Sequence, residues 1–259
     1  MKRFFRYLIV GCVIITVAIF AFYRFWMYPR HTTPVLVYHY VSYDEWSLAV
    51  TPENFERQMK YLKDRGFTVI SLDSYIDSKK AGKKLPRNAV AITFDDGRKD
   101  IYENAYPVLK KYGYPATIFL ITQWMGKDEY LTWKQIQEMA QNSIDFGSHT
   151  RHHRYLPDLT EGEMRQEIFA SKKDIERFLN KKIHHFCYPA GGFTERAEEI
   201  LREAGYLSGW TTNRGARLNE DLYKLNRVKV TNSDTVKPFH FRGKLSGYYN
   251  LFRSECSGD

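Results

Sequence analysis

Ala89-Val90-Ala91-Ile92-Thr93-Phe94-Asp95-Asp96-Gly97 is an apolar run that ends abruptly in two adjacent carboxylates and a glycine. Its first part, rich in β-branched and apolar residues, predicts a buried strand, and Gly97 permits a sharp turn immediately after it. Both aspartates then sit at the carboxyl end of a core strand. Two carboxylates held that close repel each other unless a cation or a shared proton intervenes, so a partner is expected nearby. The expected partner is Gly147-Ser148-His149-Thr150-Arg151-His152-His153, where a second strand-like run, Ile144-Asp145-Phe146, ends in a histidine cluster. The joint reading is a metal held by one aspartate and two histidines, with the other aspartate free for proton transfer.

On either side of this pair of motifs the chain alternates between strand and helix patterns. Pro34 to His39 reads as a strand ending in a histidine. Thr51 and Pro52 open a helix with Phe55, Met59 and Leu62 on one face, stopping at Gly66. Strands are expected at Thr68–Ser71, Pro115–Leu120, His184–Pro189, Leu207–Thr212 and Arg227–Val230. Between them come a short helix over Leu72–Ile76, a helical face of Tyr102, Ala105, Val108 and Leu109, and a helix capped by Thr132. A long helix follows the capping box of Thr160 and Glu163, and another runs from Thr194 to Ala204 before Gly205. The basic run Lys79-Lys80-Ala81-Gly82-Lys83-Lys84 reads as a solvated loop.

Such alternation without hairpin dipeptides calls for parallel strands joined by helical crossovers. An open doubly wound sheet and a barrel both satisfy it. His39, Asp95, Asp96, His149 and the segment after Tyr188 follow the ends of separate strands dispersed along the chain. A barrel brings all those ends to one rim, and no Gly-rich nucleotide fingerprint follows the first strand, so the barrel is the expectation.

With 259 residues and 43% hydrophobic content, the chain can build one large α/β domain. Its formal charge of +9 suits an anionic envelope polymer or lipid headgroups. Nucleic acid is not expected, because the cationic residues are scattered without a binding module. Lys2, Arg3 and Arg6 precede an uncharged stretch from Tyr7 to Tyr23, and the apolar character continues past Arg24 to Tyr28. That is long enough to span a bilayer if Arg24 snorkels. Residues 1–30 are therefore expected to be a cytoplasmic N-terminus and single-pass cell-membrane anchor, and 31–259 a catalytic domain outside the cytoplasm. No small-x-small site marks cleavage, and Cys12 has almost no apolar stretch ahead of it to make it a lipoprotein cysteine. Three cysteines, Cys12, Cys187 and Cys256, show no disulfide framework, and Cys187 between Phe186 and Tyr188 reads as a buried structural thiol.

A divalent metal needs anionic or neutral imidazole ligands, and three of them leave positions open for water and substrate. His149 and His153 stand four residues apart, within one helical turn or tight loop, whereas His152 is out of phase and is left out of the ligand set. At this point the residues resemble a known family. Thr93-Phe94-Asp95-Asp96-Gly97 and His149-Thr150-x-x-His153 are similar to the first two motifs of the polysaccharide deacetylases, the NodB-homology or carbohydrate esterase family 4 type. The resemblance runs from about Val35 to Val230. It implies a distorted (β/α)7 barrel, with Asp95 as the catalytic base and Asp96, His149 and His153 holding one divalent metal, usually zinc, with cobalt, nickel or manganese as alternatives. The implied activity is hydrolysis of N-acetyl groups on amino sugars, less often of O-acetyl groups.

The later motifs depart from the commonest pattern. Where the family's third motif usually has an arginine two places before its proline, this chain has Cys187, in Phe186-Cys187-Tyr188-Pro189-Ala190-Gly191-Gly192. That form resembles the branch containing poly-N-acetylglucosamine deacetylases of biofilm matrices. No Leu-x-His motif closes the chain. In that branch the final histidine strand is moved to the front of the domain, and Val35-Leu36-Val37-Tyr38-His39 is similar to it, so His39 inherits the general-acid role. Asp95 would take a proton from the attacking water, a backbone N–H near Tyr188 or Ala190 would stabilise the oxyanion with Pro189 and Trp210 beside the substrate, and His39 would protonate the departing amine. Tyr188, Phe193 and Trp210 could stack on sugar faces, with core packing as the alternative for each. The expected partner is an acetylated amino-sugar polysaccharide, poly-N-acetylglucosamine-like, with peptidoglycan, chitin oligomers and acetylated xylan as alternatives. A glycosidase pair is disfavoured because its two carboxylates straddle the scissile bond, which adjacent residues of one strand do not readily do. A non-catalytic, membrane-anchored glycan-binding module is the reading from another class.

Overall fold

The computed structural model describes residues 2–44, 47–212 and 221–251, so Cys256 lies outside the described residues. Contacts divide the chain into two compact units, Met1–Thr32 and Thr33–Asp259. In the first, helix α1 (Lys2–Ala21) continues through a π-helical turn (Phe22–Met27) and a 3-10 turn (Tyr28–Arg30). Arg3–Arg30 forms a helix of 28 residues that is long and apolar enough to cross a membrane. The guanidinium of Arg24 lies over the Tyr28 ring at 5.1 Å and that of Arg30 over Trp26 at 4.7 Å, so both charges are folded onto the aromatic end of the helix.

The second unit is built on a parallel sheet. Its strands are β1 (Val35–Tyr38), β4 (Thr68–Ile70), β5 (Ala89–Phe94), β6 (Ala116–Leu120), β7 (Ile144–Ser148), β8 (His185–Cys187), β9 (Ser208–Trp210) and β10 (Val228–Lys229). Their order is β10-β1-β5-β6-β7-β8-β9, with β4 paired to the first half of β5. The Leu225 N–H donates to Gly209 O at 2.9 Å and the Thr211 N–H to Leu225 O at 2.8 Å. These bonds join β9 to the segment leading into β10, so the sheet curls back on itself as a distorted barrel with seven strands along its path. This is the expected fold. A separate two-stranded ribbon pairs β2 (Tyr40–Val41) with β3 (Ala49–Val50).

Strand periodicity sorts the core into two faces. Leu36, Tyr38, Ile92, Phe94, Ile118, Leu120 and Phe186 pack against the helices. Val35, Ala91, Phe119, Cys187 and Trp210 form the opposite set, filled by Leu72, Tyr75 and Ile76 of α3 (Leu72–Lys80). Each fully buried side chain of this size contributes about 1.5–3 kcal/mol. Asp73 of α3 meets His184 at 2.9 Å and His185 at 3.1 Å where β8 begins, so α3 lies at the amino-terminal ends of the strands. The opposite rim is left for chemistry.

Helices α2 (Pro52–Asp64), α5 (Trp133–Ala140), α6 (Glu161–Leu179) and α7 (Glu195–Glu203) begin at Thr51, Thr132, Thr160 and Thr194, each accepting a backbone N–H at its cap. Several elements differ from expectation. The helix expected over Leu72–Ile76 runs on to Lys80. The helix after the aspartates opens as a π-helical turn (Ile101–Ala105) ahead of α4 (Tyr106–Tyr112), because Pro107 supplies no N–H and its ring crowds the preceding turn. Beyond Val230, where no element was expected, the chain forms α8 (Ser233–Val236) and α9 (Pro238–Lys244).

Candidate active site

Asp95 extends β5 by one residue, its N–H donating to Tyr38 O at 3.0 Å, and its side chain is only 1% exposed. The turn begins one residue earlier than the glycine: Asp96 has φ 71° and Gly97 φ 69°. A Cβ on Gly97 would meet Leu120 Cδ2 at 2.8 Å, so a side chain there is excluded twice over. The left-handed backbone at Asp96 separates the two carboxylates. Asp95 points inward, and Asp96 Oδ1 lies 3.5 Å from His149 Nε2 and 3.6 Å from His153 Nε2.

The two histidines reach this point by different means. His149 follows β7 directly, and its Nδ1–H donates to Cys187 O at 2.8 Å, which leaves the Nε2 lone pair directed at Asp96. Burial pushes its pKa down to about 3 against the pull of Asp95, so the ring is neutral. His153 lies past the strand in a loop with left-handed residues at Thr150 (φ 65°) and His153 itself (φ 59°). Burial also lowers its pKa. His152 turns away from the pair, its Nδ1 lying 2.7 Å from Glu167 Oε1. Burial pushes Asp96 up to about 6, with His39 pulling it back and Asp95 adding repulsion.

The ligand atoms of Asp96, His149 and His153 lie within 4.8 Å of one another. One carboxylate and two neutral imidazoles with open positions fit a divalent ion of the zinc type. A second convergent set, Asp95, His149 and Cys187, is already served by a cation. Arg227 donates from Nη1 to Asp95 Oδ1 and from Nη2 to Oδ2, both at 2.7 Å, and its Nη2 lies 2.9 Å from Cys187 Sγ. Burial alone would raise the Asp95 pKa, but the fully buried Arg227 beside it holds that carboxyl well below the usual range. Arg227 was expected only as the start of a strand. The signal available in the sequence was indirect: Cys187 stands where an arginine is usual, so the cation has to arrive from elsewhere.

His39, placed by β1, sets its Nε2 3.9 Å from Asp95 Oδ2, within the same cluster. Its Nδ1 is buried without a hydrogen-bond partner. The segment after β8 needs two corrections. The Tyr188 N–H is committed to Trp210 O at 3.0 Å, so it has no proton to offer an oxyanion, and Pro189 has none. Ala190, exposed and left-handed at φ 52°, remains as the backbone donor. Tyr188 and Trp210 are fully buried, the first with its hydroxyl donating to Tyr223 O at 2.7 Å and the second packed on Tyr75, so neither presents a face to a sugar. Half-buried Phe193, tilted against Tyr188, is the one of the three with surface to offer.

Comparison with known proteins agrees with this geometry. The polysaccharide deacetylase family profile matches residues 82–209, which include both carboxylates, both histidines and β8. A Bacillus subtilis (strain 168) protein named "Putative polysaccharide deacetylase YxkH" is 38% identical over 199 residues, covering 76% of this chain and 71% of that protein. The chain belongs to the polysaccharide deacetylase family. As such it is a deacetylase hydrolase with the NodB-type fold. The poly-β-1,6-N-acetyl-D-glucosamine N-deacetylase of Staphylococcus epidermidis (strain RP62A) is 34% identical over 202 residues, covering 71% of this chain and 68% of that protein. Among solved structures, the Streptococcus pyogenes deacetylase PplD in complex with acetate superposes with a TM-score of 0.77 at 29% identity, over 82% of this chain and 97% of that one. Deacetylases of this family are metalloenzymes, and the Asp96, His149 and His153 cluster is a fitting metal site.

Proposed function

We propose that this deacetylase removes N-acetyl groups from an envelope or matrix amino-sugar polysaccharide of the poly-N-acetylglucosamine kind. The observation that carries the reading is the division of labour between neighbours: Asp96 joins His149 and His153, while Asp95 is held apart by Arg227 beside them. Asp96, His149 and His153 would hold a divalent ion, most simply zinc, whose chemistry is to polarise the acetyl carbonyl and acidify water. Asp95 is the base that receives the water's proton, His39 the acid that hands one to the departing amine, and the Ala190 N–H a donor to the developing oxyanion. The likeness to the staphylococcal enzyme favours the polymer class. The apolar N-terminal helix, with Lys2, Arg3 and Arg6 in its first turns, supports residues 1–30 as a single-pass anchor and residues 31–259 as a domain outside the cytoplasm.

The test is acetate release by the purified chain from a panel of poly-β-1,6-N-acetylglucosamine, peptidoglycan, chitin oligomers and acetylated xylan, with and without a chelator. Chelator-sensitive release from the first substrate is expected. Preference for xylan would make the enzyme an O-deacetylase, and binding of the glycans without any acetate would make the domain a non-catalytic module.

A further inference from the structure

One buried carboxylate lies against the metal loop and has no part in the chemistry above. Glu167 of α6 is 3% exposed. Its Oε2 accepts the N–H of Arg151 at 2.9 Å and that of His152 at 2.8 Å, while Oε1 lies 2.7 Å from His152 Nδ1. Both N–H groups belong to the three residues between His149 and His153. The loop's carbonyls are fixed from the opposite side, Thr150 O by the Thr122 N–H at 3.3 Å and Arg151 O by the Gln123 N–H at 3.0 Å. Within the loop, Thr150 Oγ1 accepts the His153 N–H at 2.9 Å. Left-handed backbone at two non-glycine residues is unfavourable and persists only where the surroundings over-determine it.

We propose that Glu167 is a positioning residue for the metal site, holding residues 150–153 in the conformation that delivers His153 to Asp96. His149 does not depend on it to the same degree, since β7 and the Cys187 carbonyl already place its ring. His153 has no strand behind it, and its approach to Asp96 is set by the loop, with the Trp124 ring tilted against it at 5.7 Å. Loss of the Glu167 contacts therefore acts on one ligand of the three. The role assigned to Glu167 rests on the metal reading of Asp96, His149 and His153.

The experiment is a zinc titration of the full chain, stripped of metal and competed against a chromophoric chelator, on Glu167→Gln, His152→Ala, His153→Ala, His149→Ala and the double variant Glu167→Gln/His153→Ala. Glu167→Gln keeps the shape but removes the charge, and zinc Kd is expected to rise about 10–100-fold, the range typical of groups that orient ligands. His152→Ala should give a smaller rise, above threefold. In the double variant, Glu167→Gln should add less than twofold to the loss from His153→Ala, because the ligand it positions is already gone. A merely structural staple would give effects that multiply, and that result, or a Glu167→Gln Kd within twofold of wild type, overturns the role. If Glu167→Gln does not fold, an unchanged Kd in His152→Ala overturns it instead. A wild-type chain that takes up no zinc, or a His149→Ala chain that takes it up as well as wild type, would overturn the metal reading first and the role of Glu167 with it.

Discussion

Arg227 grips both carboxylate oxygens of Asp95 at 2.7 Å from a position 132 residues later in the chain, with neither side chain open to solvent. In the low-dielectric interior such a pair is stable as a unit and costly to break from one side. The same guanidinium donates from Nε to Thr211 O at 3.1 Å and from Nη1 to Thr93 Oγ1 at 3.1 Å, so its donors are largely spent on fixing that carboxylate in place.

Arg227→Met is therefore expected to lower folding stability by about 3–5 kcal/mol, because it leaves Asp95 charged and unpaired. Adding Asp95→Asn should recover much of that loss, since the group left behind is then neutral. Urea denaturation of the two single variants and the double variant measures both effects. A cost below about 1 kcal/mol for Arg227→Met would mean that the pair behaves like an exposed one.

Asp95→Asn and His39→Ala should keep their metal and lose turnover, by roughly 10²–10⁴-fold where general acid–base catalysis is removed. Bound metal and acetate release are measured together on the same preparations. Metal lost from the Asp95 variant would show that the two neighbouring carboxylates have been assigned the wrong way round. Full rate in the His39 variant would make that histidine a strand-end residue only.

Asp96 gives a pH signature in the metal-free protein. Its folded pKa of about 6 stands above the unfolded value of about 3.9, so the folded state holds a proton that the unfolded state has released between those pH values. Stability contributed by that proton is complete below about pH 4 and is lost as pH rises through about 6. Asp96→Asn removes the penalty, and the metal-free variant should exceed metal-free wild type at pH 7.5 by on the order of 1–3 kcal/mol, with the gap closing by pH 4. Zinc should reverse the ranking, because only wild type gains binding energy from it. Thermal unfolding at the two pH values, with and without zinc, reads out all four states.

The chemistry-bearing motifs were legible because each is local: a strand and its terminal side chains are consecutive residues, and strand ends in a parallel barrel share one rim. Asp95, Asp96, His149 and His39 were brought together on that logic and His153 by its spacing from His149, and the five meet. Arg227 was not legible, since nothing near it in the sequence names a partner 132 residues away. Tyr188 and Trp210 misled for the same reason in reverse. Their composition suits a sugar platform, but β8 and β9 turn both rings into the core and tie the Tyr188 N–H to the Trp210 carbonyl. The short helices after Val230 carry too few residues for a periodic pattern, and Asp234 is held there by Lys244 at 2.6 Å, a contact between side chains that no spacing rule foretells.

The late position of Arg227 has a consequence for how the domain comes into being. Asp95 precedes by 132 residues the cation that neutralises it, and β10, which follows Arg227 at once, is the last strand in chain order among the described residues. Until that strand docks beside β1, the pocket holds a carboxylate that water alone can satisfy, and burying it is unfavourable. Closure of the centre therefore depends on the pairing of β10 with β1, because that pairing carries the Arg227 guanidinium to Asp95.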